Sequence, residues 1–401
     1  VFSEFIKKEW LSFGKIRLNY AEVGNSPGFD RVLDTYAVNT AFGAGSASVK
    51  NTKNNPNLKA ETTKSYEAGL EMAFLKKRIN FDVSFYKSNS IDQIVPLRVT
   101  SSTGYLFELV NAGEIENRGI ELSLNTTPVK LKDFSWDFNI NWSKNRNEVI
   151  SLPSGIKTLQ LGSFQGGVTI NAVVGQPYGV IYGTDYTYLN GQRVVDPTNG
   201  QYIKTDTSDN VIGNSNPDWI GGLYNKLTYK NLSLDFLIDI QKGGDIFSLD
   251  RYYGLATGLY SDTAFTNDLG NPVRNSLADG GGFINPGVNP DGTVNTTRIR
   301  ADRYGAFGYR RGLPDRAFVY DASYVKLRQA SITYSLPEKI LKNTFINNVT
   351  FSLIGTNLWI ISKNLPDADP ESGLGAGNLQ GYSTGSLPST RDISFNVKLQ
   401  F

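Results

Sequence analysis

Residues 134–143 read FSWDFNINWS, and residues 392–401 read DISFNVKLQF. In the first stretch Phe134, Trp136, Phe138, Ile140 and Trp142 alternate with Ser135, Asp137, Asn139, Asn141 and Ser143. In the second, Ile393, Phe395, Val397, Leu399 and Phe401 alternate with Ser394, Asn396, Lys398 and Gln400. Successive side chains of a strand point to opposite faces, so a period of two predicts strands with one greasy and one wet face. A helix would need apolar residues three and four apart, and neither stretch has them. The same alternation recurs at Ile79, Phe81, Val83 and Phe85, at Leu232, Leu234, Phe236, Ile238 and Ile240, and at Tyr66, Ala68, Leu70, Met72 and Phe74. The expected class is all-β.

Strand length sharpens this. Several runs extend over about ten residues, which at ~3.4 Å per residue and a tilt near 45° cover roughly 24 Å, the height of the apolar band of a membrane barrel. Strands of soluble domains are usually shorter, about five or six residues.

The connections then choose the architecture. Short turns at Leu75–Arg78, Thr126–Asp133, Lys230–Asn231 and Pro337–Asn348 alternate with long stretches at about 24–63, 88–117, 144–217, 242–322 and 362–390. Short turns on one side and long loops on the other predict a transmembrane antiparallel β-barrel, with short periplasmic turns and long outer loops. Parity places Phe401 on the periplasmic side. Ten strands are expected, or twelve if Gly179–Tyr188 forms a hairpin with a neighbour. Val325 and Leu327 are out of phase with Ile332 and Tyr334, so a bulge is expected within Arg328–Ser331. Trp136, Trp142, Trp219, Tyr229, Trp359 and Phe401 fall near the expected strand ends, where an interfacial aromatic girdle would sit. The lysines at the short turns, Lys76, Lys77, Lys130 and Lys132 among them, are expected to be solvated. Glu114–Glu116 and Asp235–Asp239 are expected to face the lumen.

Composition narrows the chemistry. The chain has 401 residues, 40 Lys+Arg against 38 Asp+Glu, no His, no Cys and one Met. A net charge of +2 is no nucleic-acid footprint. Without Cys there are no disulfides or thiolate ligands, and without His the commonest general base and metal ligand is gone. No active site is expected and no cofactor is implied. One acidic run, Asp367, Asp369 and Glu371 beside Gly373, has the oxygen chemistry of a cation site but not the twelve-residue frame of an EF-hand. The Gly280–Gly282 and Gly373–Gly377 runs lack the strand-to-helix setting of a phosphate loop. In the largest loop, Tyr252, Tyr253, Tyr260, Tyr304 and Tyr309 are candidates for contact with a substrate or a covering partner. The chain opens on Val1 and reads as a piece of a longer protein, and Phe401 reads as a natural terminus.

Several runs carry a family resemblance. Asn55-Pro56-Asn57-Leu58-Lys59-Ala60-Glu61, Tyr66-Glu67-Ala68-Gly69-Leu70-Glu71 and Glu116-Asn117-Arg118-Gly119-Ile120-Glu121-Leu122 resemble the barrel of TonB-dependent outer-membrane transporters. Asn216-Pro217-Asp218-Trp219-Ile220-Gly221-Gly222, Gly243-Gly244-Asp245-Ile246-Phe247, Asp321 through Arg328, Gly355-Thr356-Asn357-Leu358 and Asp369-Pro370-Glu371 resemble the SusC/RagA branch. The resemblance implies the C-terminal 10–12 strands of a plugged barrel of about 22 strands, with the plug, TonB box and N-terminal strands outside this chain. It implies energy-coupled import of oligosaccharides, glycans or peptides across the outer membrane of Bacteroidetes, a SusD-like surface lipoprotein as lid, and TonB as the energy source. By the same analogy Phe395, Val397, Leu399 and Phe401 form a C-terminal signal read by the barrel-assembly machinery. The alternatives are a SusC-like barrel serving as a scaffold in a larger outer-membrane assembly, and a soluble glycan-binding β protein.

Overall fold

The computed structural model describes every residue except 7, 39–44, 112, 154, 310, 343 and 374–376. Of the Gly373–Gly377 run, 374–376 therefore lie outside the described residues. Among the described residues ten long strands form one antiparallel sheet in chain order. They are β1 (Leu11–Asn25), β2 (Glu61–Phe74), β3 (Ile79–Ile91), β4 (Glu114–Lys130) and β5 (Phe134–Ser151). They continue as β6 (Pro217–Tyr229), β7 (Leu232–Gly243), β8 (Tyr324–Ser335), β9 (Asn348–Lys363) and β10 (Asp392–Gln400). Each strand pairs with its chain neighbour, and β1 and β10 are the edges. Val180–Gly183 joins a separate four-stranded sheet, so the count is ten rather than twelve.

The register explains the alternation in the sequence. Across the sheet Phe395 lies opposite Leu353, then Ile332, Leu234, Leu227 and Trp136. One residue along, Asn396 lies opposite Ser352, then Thr333, Ser233, Thr228 and Ser135. At the other end Ile16, Leu70, Val83, Leu122 and Trp142 form another greasy row. The wet row beside it is Arg17, Gly69, Ser84, Glu121 and Ser143. A one-residue slip of any strand would break every row at once. The greasy face is exposed at Ile16, Leu18, Phe85, Leu234, Ile332, Leu353 and Phe395, as a surface made for hydrocarbon would be.

Aromatic pairs bracket that face. Trp10 stacks on Phe74 with ring centroids 5.9 Å apart, and Tyr20 meets Tyr66 at 5.0 Å. The spans from Trp10 to Tyr20 and from Phe74 to Tyr66 correspond to roughly 19–24 Å of height at ~3.4 Å per residue and ~45° tilt. Trp142 departs from expectation: β5 runs on to Ser151, so this residue sits mid-strand.

The expected bulge is present. Leu237 pairs with Gln329 and Ile238 with Leu327, so Arg328 is the extra residue and the phase of β8 inverts after it. The short connections are residues 75–78, 131–133, 230–231 and 336–347, the last with a single helical turn at Glu338–Leu341. They are laced together. Arg78 donates to the carbonyls of Thr127 and Pro128, and Asn231 Nδ2 to that of Ser335.

The deepest core lies in the long connections. Val168, Ile170, Ile181, Ile212, Phe247, Tyr252, Phe318 and Tyr382 come from three of these connections and pack as one buried cluster. Helix α1 (Leu249–Thr257) is built into it. Ser248 accepts from the Arg251 backbone N–H as N-cap, and Gly258 closes the helix with φ 77°. With its apolar face exposed the sheet encloses no dry interior of its own, so the buried core is built from the connections.

Candidate functional site

The wet face of the sheet is the first part of the site. Arg17 reaches two strands across it, donating to both oxygens of Asp82 at 2.6 and 2.8 Å and to Ser84 Oγ at 3.1 Å, with Glu71 at 3.4 Å. Its path crosses Gly69, its register partner, where a Cβ would sit 2.8 Å from the guanidinium. Gly119 serves Tyr86 in the same way, because a Cβ there would meet the phenol oxygen at 2.5 Å. Both glycines belong to motif runs, and here each leaves room for a side chain lying flat on the wall. Asp82, Glu121, Ser123, Asn141, Ser143 and Asp239 line a recess of about 480 Å³ on this face. It is a surface of carboxylate, amide and hydroxyl groups, suited to hydrogen-bonding a hydrated solute or a covering polypeptide.

The second part is a knot of charge where the 364–391 connection meets the wall. Lys326 Nζ donates to Asp369 at 2.5 Å and also binds Glu371. Arg328 grips Glu371 with two nitrogens, at 2.6 and 2.8 Å, and binds Asp239. Arg328 Nη1 also donates to Asn357 Oδ1 at 3.2 Å, and Asn357 Nδ2 to the Thr390 carbonyl at 3.0 Å. Burial disfavours the charged form of Asp369, but hydrogen bonds from Lys326, the Glu371 backbone and Ser389 outweigh it and hold this carboxyl below the usual range. Burial opposes Glu371 likewise, and Arg328 and Lys326 reverse it. The charges of Asp369 and Glu371 are thus matched by protein cations. Asp367 turns elsewhere, to Arg251 Nη1 at 2.8 Å. The acidic run is divided between two partners, and among the described residues no group of three or more His, Cys, Asp and Glu is arranged to hold a metal.

The third part is the body formed by the long connections. Of its tyrosines, Tyr252 is 1% exposed and packs against Phe247, Phe318 and Tyr309. Its position corrects the expectation of solute contact: it belongs to the core. Tyr253 and Tyr309 meet edge to face at 5.3 Å and both reach the surface. Tyr260 lies under the Arg251 guanidinium at 4.6 Å, and Tyr304 under that of Arg303 at 4.5 Å. The five do not form one cluster. A group absent from the sequence reading is Tyr186 and Tyr202 with Arg193 stacked 4.0 Å over the Tyr186 ring. Burial pushes the Tyr186 phenol up to about 12. These residues lie close together in the chain, in a connection without strand periodicity.

Glu114 and Glu116 correct another expectation. They share the parity of Leu122 and Leu124 on β4, so they stand on the greasy side beyond its apolar run, whereas Asp235 and Asp239 stand on the wet face. Phe395, Val397, Leu399 and Phe401 are all exposed along the β10 edge, and Phe401 stacks on Phe345 at 5.7 Å.

The sequence profile described as TonB dependent receptor-like, beta-barrel matches residues 8–155. TonB-dependent receptor P3 of Formosa agariphila is 28% identical over 375 residues, which cover 86% of this chain and 35% of that protein. TonB-dependent receptor SusC of Bacteroides thetaiotaomicron is 28% identical over 249 residues, 57% of this chain and 24% of that one. Among solved structures, the RagAB peptide transporter is 21% identical with a TM-score of 0.71, over 100% of this chain and 42% of the other. The "closed-closed" state of the RagAB peptide importer gives a TM-score of 0.75 at the same identity and coverage. The chain thus spans less than half the length of each of these relatives.

Proposed function

We infer, from a chain that carries the β-barrel fold of a TonB-dependent receptor, that it forms the C-terminal part of the wall of an outer-membrane importer. The observation that supports this most is the register itself. Apolar side chains predominate in the rows of one face and hydrogen-bonding groups in the rows of the other, over strands long enough to cross hydrocarbon. In this reading the wet face borders the path of an oligosaccharide or peptide, and the long connections form the outer mouth. A SusD-like lipoprotein covers that mouth. TonB acts through an N-terminal region outside this chain, and the barrel-assembly machinery reads Phe395, Val397, Leu399 and Phe401. The long connections face the cell exterior and Phe401 the periplasm. All of this chemistry is transport, with no bond made or broken.

The test is uptake by cells carrying the whole receptor, offered labelled oligosaccharides and oligopeptides, with and without the TonB-interacting segment. The expected outcome is accumulation of one class that stops when that segment is deleted. Accumulation of neither class with the intact receptor would overturn the reading.

A further inference from the structure

On the greasy face, the first charged position beyond the apolar run is a cation on five of the ten strands. Lys64 follows Tyr66 on β2, Lys87 follows Phe85 on β3, Arg118 follows Ile120 on β4, Lys144 follows Trp142 on β5 and Lys242 follows Ile240 on β7. Arg146, the next residue of that parity on β5, joins them. Three of these cations share one register row: Lys87 lies opposite Arg118, and Arg118 opposite Arg146. Like charges placed directly opposite repel, so such a row calls for counter-charge.

The protein supplies only part of it. Glu116 takes Lys87 at 2.9 Å and lies 4.0 Å from Arg118. Glu148 is opposite Glu116, one step further from the apolar band. Among the described residues no carboxylate comes within 4 Å of Lys144 or Arg146. A recess of about 290 Å³ opens beside them, lined by Arg118, Lys144 and Arg146, by the carboxylates Glu116, Glu148 and Asp218, and by the amides of Gln176, Asn214 and Asn216. It opens where β5 stops pairing with β6 at Ser143 and residues 175–176 take over that side, bonding both backbone groups of Val149.

Height decides what fills it. The same register row continues into Tyr66 and Tyr20, the aromatic pair at the edge of the apolar band. Lys87, Arg118, Lys144 and Arg146 themselves have the greasy-face parity, opposite to that of Asp82, Ser123 and Ser143 on the wet face. We propose that Lys87, Arg118, Lys144 and Arg146 seat the phosphate group of a lipid headgroup at the membrane surface where these strands emerge. The proposal rests on the membrane-barrel reading. Guanidinium groups suit a phosphate because they donate in a fork, and the neighbouring apolar face takes the acyl chains.

The test uses the whole receptor in non-ionic detergent, titrated with phosphatidic acid and with phosphatidylcholine and followed by native mass spectrometry. Wild type is expected to retain phosphatidic acid selectively. The combined variant R118Q, K144Q, R146Q is expected to bind it about a hundredfold more weakly, at about fivefold for each cation beside an anionic surface. The variant K132Q, changed at a short turn, should behave as wild type. Equal retention of both lipids by wild type, or full displacement of phosphatidic acid by millimolar inorganic phosphate, would refute the headgroup seat while leaving the barrel in place. A receptor that stays soluble without detergent and retains neither lipid would instead remove the membrane reading beneath it.

Discussion

Lys326 on β8 and Asp369, 43 residues further on, meet at 2.5 Å with their side chains only 4% and 2% exposed. One comes from the wall and the other from the connection above it. Taking one partner away leaves a charge stranded out of water, which typically costs about 3–5 kcal/mol. That cost falls on the docking of residues 364–391, because the wall is held independently by its ladders. Lys326→Met is therefore expected to make this connection sensitive to protease while the barrel keeps its resistance to detergent. Pairing it with Asp369→Leu should restore much of the protection. A single variant as resistant as wild type would show that the ion pair does not hold the connection.

The same knot gives a pH dependence. Asp369 and Glu371 both have folded-state values below the ordinary ones, burial being outweighed by their cationic and hydrogen-bonding partners. A carboxyl depressed in this way adds stability that is complete above its unfolded value, about 3.9 for Asp and 4.3 for Glu, and is lost as pH falls through the folded value. Docking should be flat from neutral pH down to about 5 and fail below about 4. Hydrogen exchange of residues 364–391 across that range checks it, and a transition near neutrality would contradict it.

Face assignment is tested at two adjacent residues. Phe395 is exposed on the greasy face, stacked on Phe351 at 6.2 Å, and Asn396 lies opposite Ser352 on the wet face. Phe395→Arg places a cation in hydrocarbon and should cost about 2–4 kcal/mol if it sits near the mid-plane. Asn396→Arg should cost little. Unfolding from vesicles in denaturant measures both, and equal destabilisation would mean that the faces are assigned wrongly.

The strands were legible because each is a local pattern, and the bulge at Arg328 was legible because the pattern slips there. The strand ends that adjoin the long connections were not. Beyond Ser143, β5 leaves the greasy band, and Lys144, Arg146 and Glu148 occupy the outward positions. With both faces wet the period of two vanishes, although the ladder to β4 continues to Ser151. The body above the wall was hidden for another reason. Tyr382 donates to the Val168 carbonyl across 214 residues, and Thr184 donates to Asp315 across 131. No local periodicity encodes such contacts. Hence Tyr252 resembled its tyrosine neighbours in sequence and differed from them only in burial.

That difference is measurable. Tyr252→Ala removes a buried ring packed on Phe247, Phe318 and Tyr309, and losses of this kind cost about 3–5 kcal/mol. The body formed by the long connections should loosen and become protease-sensitive. Tyr253→Ala acts on a ring that is 40% exposed and should leave the body folded. If Tyr253→Ala weakens uptake while protease resistance is unchanged, the ring meets the solute or the covering partner. If both variants unfold the body equally, the division into core and surface tyrosines fails.

Asn357 offers the most economical test of why the Gly355-Thr356-Asn357-Leu358 run has its composition. Its backbone is left-handed, with φ 50°, where the β9 ladder skips to follow the bulge at Arg328. Asn tolerates that conformation better than most residues, while a β-branched side chain is an outlier there. Its side chain also bridges Arg328 to the Thr390 carbonyl. The two contributions separate by substitution. Asn357→Gly keeps the backbone and loses the bridge, so it should destabilise by about 1 kcal/mol. Asn357→Val loses the bridge and also strains the backbone, at a further 1–2 kcal/mol or so. Denaturant unfolding of the whole receptor should therefore rank wild type above Asn357→Gly and Asn357→Gly above Asn357→Val. If Asn357→Val were as stable as Asn357→Gly, the left-handed turn would not be what selects the residue.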